Sequence, residues 1–286
     1  MRFKFLILFA FLFLTSVSIV SAQETKPETA ATPKPEATPK TDKKDKKEDK
    51  KVEKEVNGLP KNATAEQVAE YVVLVYGGLG GRDSLKQIRK STIERGKISI
   101  VNGEGKTEQA TYEKLILRGD NLGKERVRFD QAFPSAKYAL IYNNDKIFGI
   151  FNDSVFTPRE DATKAFENQI WHGLEAILRY KENESKVALA EREKLMNVEF
   201  YVLDVTDKQN RKTRFYISTK SLRVMMLEYE ENGVKLRRKF YDYNYAQGTL
   251  VPFRSVLWEG SKQIEETTVQ TISFGQKVEE GNFTES

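Results

Sequence analysis

From Ile93 to Phe151, and again from Lys186 to Phe274, the chain alternates apolar and polar residues with a period of two, and short turn signals interrupt the alternation. Val127 and Phe129 alternate with Arg126, Arg128 and Asp130; Leu203 and Val205 flank Asp204; Phe215 and Ile217 alternate with Arg214 and Tyr216. Strands of this kind bury one face and leave the other in water. The clearest turns are Asn102-Gly103-Glu104-Gly105, Asn143-Asn144-Asp145, Asn232-Gly233 and Gly260-Ser261. Strands are therefore predicted at 93–101, 107–118, 125–130, 138–142 and 146–151. A second series is predicted at 186–192, 199–206, 213–218, 224–230, 234–243, 252–259 and 262–274. Strands joined by short turns pair with their chain neighbours as an antiparallel meander. About twelve such strands cannot stay flat, because twist accumulates across a sheet. The sheet must curl, and its inner face must be covered.

The cover is predicted from helical spacing. Thr64-Ala65-Glu66-Gln67 is a capping box, Val68, Tyr71, Val72, Val75 and Tyr76 follow at helical intervals, and Gly77-Gly78 ends the helix. A short helix is expected over 83–88 with Asp83 as N-cap. A longer one is expected over 161–180, with Phe166, Ile170, Leu174, Ile177 and Leu178 on one stripe. The fold class is therefore α+β: a strongly curved antiparallel sheet, a half-barrel, with helices covering the concave mouth. A wide, open barrel leaves room that a small closed one fills with side chains. The expected cavity lining is Val127, Phe129, Leu203, Phe215, Ile217, Met225 and Leu257, under a lid of Phe166, Ile170 and Leu174. Met225-Met226-Leu227 is more apolar than a one-sided strand needs, and methionine adapts to flexible apolar ligands. The same pattern also fits a dry core packed against the helices.

Composition excludes several chemistries. The chain has no Cys and one His. It therefore offers no disulfide framework, no thiolate nucleophile and no cysteine- or histidine-rich metal centre. No catalytic residue, metal ligand or cofactor is expected. Gly77-Gly78-Leu79-Gly80-Gly81 follows a helix and lacks the Gly-Lys-Ser/Thr of a phosphate loop, so it reads as a cap and turn. His172 is expected on the flank of its helix or outside. Glu230-Glu231 and Glu265-Glu266 are neighbours on strands and so point to opposite faces, not to one reaction centre.

The first 57 residues have another texture. Arg2 and Lys4 precede an apolar run of 16 residues, Phe5 to Val20, and Val20-Ser21-Ala22 supplies a cleavage site. This reads as a signal peptide over 1–22, cut after Ala22, which predicts export to the periplasm or beyond. Retention as an anchor is the alternative, although the run is short for a span of roughly 20 residues. Residues 23–57 are rich in Pro, Lys and Glu and carry almost no large apolar side chain, so they read as a disordered linker. The formal charge of +5 falls to +3 without Arg2 and Lys4 (45 basic against 42 acidic), which argues against nucleic acid as a partner.

Over 58–285 the chain resembles the bacterial outer-membrane lipoprotein carriers, the LolA/LolB-like superfamily. The resemblance rests on Tyr76-Gly77-Gly78 followed by Leu85-Lys86-Gln87-Ile88-Arg89 and Glu94-Arg95-Gly96. It continues through Asn197-Val198-Glu199-Phe200-Tyr201-Val202-Leu203, then Tyr243-Asn244-Tyr245 to Gly248-Thr249-Leu250-Val251-Pro252, and closes on Asn282-Phe283. It implies a curved sheet of about eleven strands under a helical lid, holding acyl chains or another apolar ligand without catalysis. The lipidated cysteine of the membrane-anchored acceptor is absent. The expected function is a monomeric, exported binding protein for a lipid, an acylated lipoprotein or another apolar ligand, with peripheral membrane contact. A sensor or docking module that engages an envelope protein through the same fold is the alternative.

Overall fold

Helix α1 (Ala65–Gly77) starts where the capping box predicts. Thr64 Oγ1 accepts from the Gln67 N–H at 3.3 Å, and Gln67 Oε1 accepts from the Thr64 N–H at 2.8 Å. Gly78, at φ +64°, ends the helix in a conformation glycine adopts without steric cost. Helix α2 (Gly81–Ile88) begins before the predicted Asp83, which sits inside the first turn instead of capping it. The acid still favours a helix N-terminus there. The computed structural model describes Leu59 and residues 62–285. The predicted signal segment 1–22, its cut after Ala22, the linker 23–57 and the domain start at Gly58 lie outside the described residues.

The strands are β1 (Ser91–Val101), β2 (Thr107–Leu117), β3 (Arg126–Ala132), β4 (Lys137–Asn143), β5 (Lys146–Phe151) and β6 (Ser154–Phe156), followed by helices α3 (Glu160–Trp171) and α4 (Glu175–Leu178). The second series is β7 (Lys186–Leu189), β8 (Glu193–Leu195), β9 (Val198–Thr206), β10 (Lys212–Ser218), β11 (Val224–Glu231), β12 (Val234–Ala246), β13 (Thr249–Glu259) and β14 (Lys262–Phe274). All belong to one antiparallel sheet of 14 strands in the order β6-β5-β4-β3-β2-β1-β14-β13-β12-β11-β10-β9-β7, with β8 paired to β9. The strand count exceeds the sequence estimate because β6 and β8 are three-residue strands, too short to show a period. The chain enters the sheet at its centre and meanders out to β6. It then crosses by α3 and α4 to the opposite edge and meanders back until β14 pairs with β1. Strands β6 and β7 do not pair, so the sheet stays open.

Two glycines shape the first half. At Gly96 a side chain would meet Thr268 O at 2.1 Å and the Tyr112 ring at 2.8 Å, and the register against β14 shifts between Arg95 and Gly96. At Gly149 the Phe156 ring from β6 lies directly over the backbone, where a Cβ would come within 2.2 Å of it.

The concave face carries two separate cores. One packs Val68, Val72, Val73 and Tyr76 of α1 and Ile177 and Leu178 of α4 against Leu203, Phe215, Ile217, Leu227 and Leu250. The other packs Phe166 and Ile170 of α3 against Ile98, Tyr112, Val127, Phe129, Leu140 and Tyr142. The helix predicted over 161–180 breaks at His172-Gly173, and the break divides it between the two cores.

A charged ladder fixes the break. Arg89, at the end of α2, donates to Glu175 at 2.9 Å and to Leu250 O at 2.9 Å. Arg118 pairs with Glu175 at 2.7 Å and with Glu125 at 2.9 Å, and Arg179 pairs with Glu125. Burial pushes the Glu175 carboxyl up, but Arg118, Arg89 and Arg179 together overcome it and hold it at about 2. For Glu125 burial outweighs Arg118 and Arg179, and its pKa is raised. Breaking such a pair strands its partners in low dielectric, at a cost of about 3 kcal/mol. Glu175→Gln is therefore expected to lower stability by about that amount at neutral pH. Glu175 is ionised more readily in the folded state, so its contribution is complete above its ordinary value near 4.5 and disappears as pH falls toward about 2. Chemical denaturation from pH 6 down to pH 2 should show the wild-type and Glu175→Gln curves converging in that window; a constant gap would contradict the assignment.

Candidate ligand cavity

Among the described residues α3 is the helix that packs on the β1–β4 core, and it covers that half incompletely. Between its first turns and the sheet lies an open cavity of about 1060 Å³, at the upper end of the range of small-molecule sites. Its wall is mainly aromatic and aliphatic: Ile98 and Ile100 from β1, Phe129 from β3, Phe133 just after β3, Tyr138 and Leu140 from β4, Phe156 from β6 and Phe166 from α3. Phe129 stacks on Phe166 with ring centres 6.2 Å apart and meets Tyr112 edge-on at 5.4 Å. Phe133 stacks on Tyr138 at 5.9 Å. The rim includes Phe151, which is 44% exposed, and the charged Lys106, Arg159 and Asp161. On α3, Ala162 and Ala165 face the opening with side chains too small to close it.

Behind this wall lies a smaller inner chamber of about 230 Å³. Phe129, Gln169 and Glu265 border both spaces. The inner walls mix apolar side chains, among them Ile116, Val127, Ile170 and Phe240, with charged ones: Glu94, Lys114, Arg238 and Glu265 come from the sheet, and Arg89, Arg118, Glu125 and Glu175 from the ladder. Arg238 donates to Glu265 at 2.7 Å, Tyr112 Oη to Glu94 at 2.7 Å, and Lys114 Nζ to Gln169 at 3.2 Å.

Of the residues expected from sequence to line a cavity, Phe129 borders both spaces and Val127 the inner chamber. Of the expected lid, Phe166 faces the outer cavity and Ile170 and Leu174 the inner one. The others are not brought to either. Leu203, Phe215 and Ile217 are fully buried in the core under α1 and α4, and Leu257 belongs to the same core at 8% exposure. Helix α1 packs against that half of the sheet, with Val68, Val72, Val73 and Tyr76 in the same core. Met225 sits with Phe200, Val202, Tyr216 and Met226 in a core apart from both, because the register of β10 against β11 shifts between Tyr216 and Ile217. Sequence reasoning missed Leu140, Phe133, Tyr138 and Phe156. Tyr138 and Leu140 lie on the same face of β4 and gave a period-two signal; Phe133 and Phe156 lie at strand ends, where no period forms.

His172 is buried, not on the surface as its helical position suggests. Helix α3 ends at Trp171, and the next residue turns inward as the C-cap. Its ring stacks on Tyr229 at 4.2 Å and 5°, and Nδ1 lies 2.7 Å from Thr213 Oγ1. Burial, with Arg211 adding to it, lowers its pKa to about 4. The unfolded chain therefore binds this proton first, and stability is lost as pH falls from about 6.5 to about 4. As the only imidazole in the chain, its ring protons give an unambiguous NMR titration, expected to centre near pH 4. A midpoint at 6 or above would contradict the buried stack.

No protein-family model matches the chain, and no curated protein sequence matches it. Solved structures do. A DUF1329 family protein from Desulfovibrio piger superposes with a TM-score of 0.57 at 13% identity, over 77% of this chain and 97% of that one. A LolA superfamily protein from Nitrosomonas europaea superposes with a TM-score of 0.55 at 12% identity, over 78% of this chain and 98% of that one. Likeness at such low identity is likeness of architecture. The chain has a LolA/LolB-like fold.

Proposed function

We propose that this protein is an exported, non-catalytic binding protein that carries a lipid, or the acyl chain of a lipoprotein, in the cavity between α3 and strands β1–β6, and that it acts in envelope lipid or lipoprotein transport. The observation that carries the reading is the outer cavity itself: about 1060 Å³, walled mainly by aromatic and aliphatic side chains, and open at one end. Burying a chain of about twelve methylenes at roughly 0.8 kcal/mol each gives about 10 kcal/mol before ordering costs, so affinity requires no charged contact. The leader predicted from sequence at 1–22 supports export. The lining that contributes most is Phe129 and Phe166, whose stacked rings form the cavity's inner wall, with Ile98, Leu140 and Phe156 around them. The core under α1 does not border the cavity, so ligand exchange leaves that core undisturbed.

A delipidated preparation is expected to bind an environment-sensitive fatty-acid probe with a blue-shifted emission. Phe129→Glu should reduce binding at least tenfold. Because Phe129 is also core, a second variant separates binding from folding. Ala165→Trp places a large ring in the opening from an exposed helix position. It should leave the melting temperature within about 2 °C and still abolish the probe signal. Unchanged binding by Ala165→Trp would remove this cavity as the site.

A further inference from the structure

Lys114 and Glu94 are directly opposite each other on β2 and β1, on one face of the sheet. Oppositely charged side chains in that position ordinarily pair. Here they do not. Glu94 accepts instead from Tyr112 Oη, while the Lys114 ammonium turns toward the partition between the two spaces. It donates to the neutral amide of Gln169 at 3.2 Å and lies 5.0 Å from the centre of the Phe129 ring. Gln169 and Phe129, with the Arg238-paired Glu265, are the residues that also border the outer cavity.

The inner chamber is lined by four cationic side chains, Arg89, Lys114, Arg118 and Arg238, and by four carboxylates, Glu94, Glu125, Glu175 and Glu265. The Glu265 carboxylate is answered by Arg238 at 2.7 Å, and that of Glu94 by Tyr112. Of the three ammonium protons of Lys114, one meets Gln169, and no carboxylate lies within ion-pairing distance of it among the described residues. Arg89 Nε and Thr92 Oγ1 are likewise buried without a partner, and both residues line the chamber. Arg89, Arg118 and Arg238 each have a carboxylate partner, so Lys114 is the one cationic side chain of the chamber that lacks one among the described residues. The group that matches it is one with acceptors only, and a carboxylate is the smallest such group that also ends an apolar chain.

We infer that the ligand enters head first, and that the chamber behind Phe129 is a head-group subsite in which Lys114 and Gln169 receive the carboxylate of a single-chain fatty acid or related amphiphile while the chain fills the outer cavity. The inference rests on the proposed function and narrows it to a ligand class. It assigns Lys114 a role that an apolar pocket alone does not require. Burial lowers the pKa of the ammonium, a cost that an adjacent carboxylate offsets. The chamber of about 230 Å³ has room for a carboxylate.

The test compares two ligands with the same chain. At pH 7.5 dodecanoate and dodecan-1-ol are each titrated against protein loaded with a neutral solvatochromic probe, and displacement is followed by fluorescence. Dodecanoate is expected to displace the probe at about tenfold lower concentration than the alcohol, the gain of one charge-assisted hydrogen bond. In Lys114→Met that preference should fall to within about twofold, with displacement by the alcohol unchanged, and Lys114→Arg should retain the preference. Equal displacement by acid and alcohol in the wild type would overturn the head-group subsite and leave the apolar cavity standing. Failure of the neutral probe to bind, or of both ligands to displace it, would overturn the cavity reading and this inference with it. The wild-type comparison decides the matter even if Lys114→Met proves unstable.

Discussion

The pairing of β1 with β14 is the interaction from which the rest of the architecture follows. It joins Thr92 to Phe274 at one end and Ile100 to Glu265 at the other, contacts separated by more than half the chain. Without it the two meanders are separate sheets, each with an uncovered face. With it they form one curved surface whose outer strands, β6 and β7, are left at opposite edges. The chain must then travel from one edge to the other, and the connection that does so is α3 and α4. A cover for the mouth is thus a consequence of strand order and not an addition to it.

That crossing divides the concave face unequally. Helices α1 and α4 lie on the β9–β13 half and fill it with Val72, Tyr76, Ile177 and Leu178 against Leu203, Phe215 and Leu227. The β1–β6 half receives α3 alone, and α3 presents Ala162 and Ala165 beside Phe166. A solid core holds the shape while the hollow half is free of that duty. The charged ladder sits at the boundary, where Arg89, Arg118 and Arg179 hold Glu125 and Glu175. Buried ion networks contribute little net stability compared with apolar packing, but they fix one geometry. Here the geometry fixed is the break between α3 and α4, and with it the positions of Gln169 and Ile170.

Much of this architecture is legible in the residues. The alternation of Val127 and Phe129 with arginines sets a one-sided strand, Asn232-Gly233 sets a tight turn, and the Thr64–Gln67 box sets the start of α1. Each is a local rule with a local cause. The cavity is less legible, because a period of two states which face a side chain takes and not what lies above it. Leu203 and Phe129 have the same signature, yet α1 seals the first and α3 leaves a space over the second. Met225 escaped because a shift in strand register changes the phase of the alternation, and no residue announces such a shift. His172 escaped because helical geometry was extended past Trp171, where the helix ends. Lys114 gave no signal at all: one lysine among many becomes distinctive only when the sheet places it against Gln169 and Phe129 and away from Glu94.

The central claim is that the space between α3 and the first six strands holds an apolar chain. Native mass spectrometry of protein purified from cells that make it tests this most directly. The account predicts a mass above that of the bare chain, released by organic extraction as a chain-bearing lipid or fatty acid in near one-to-one ratio with protein. A population consisting of the bare chain alone, even when purified without detergent or solvent, would contradict it.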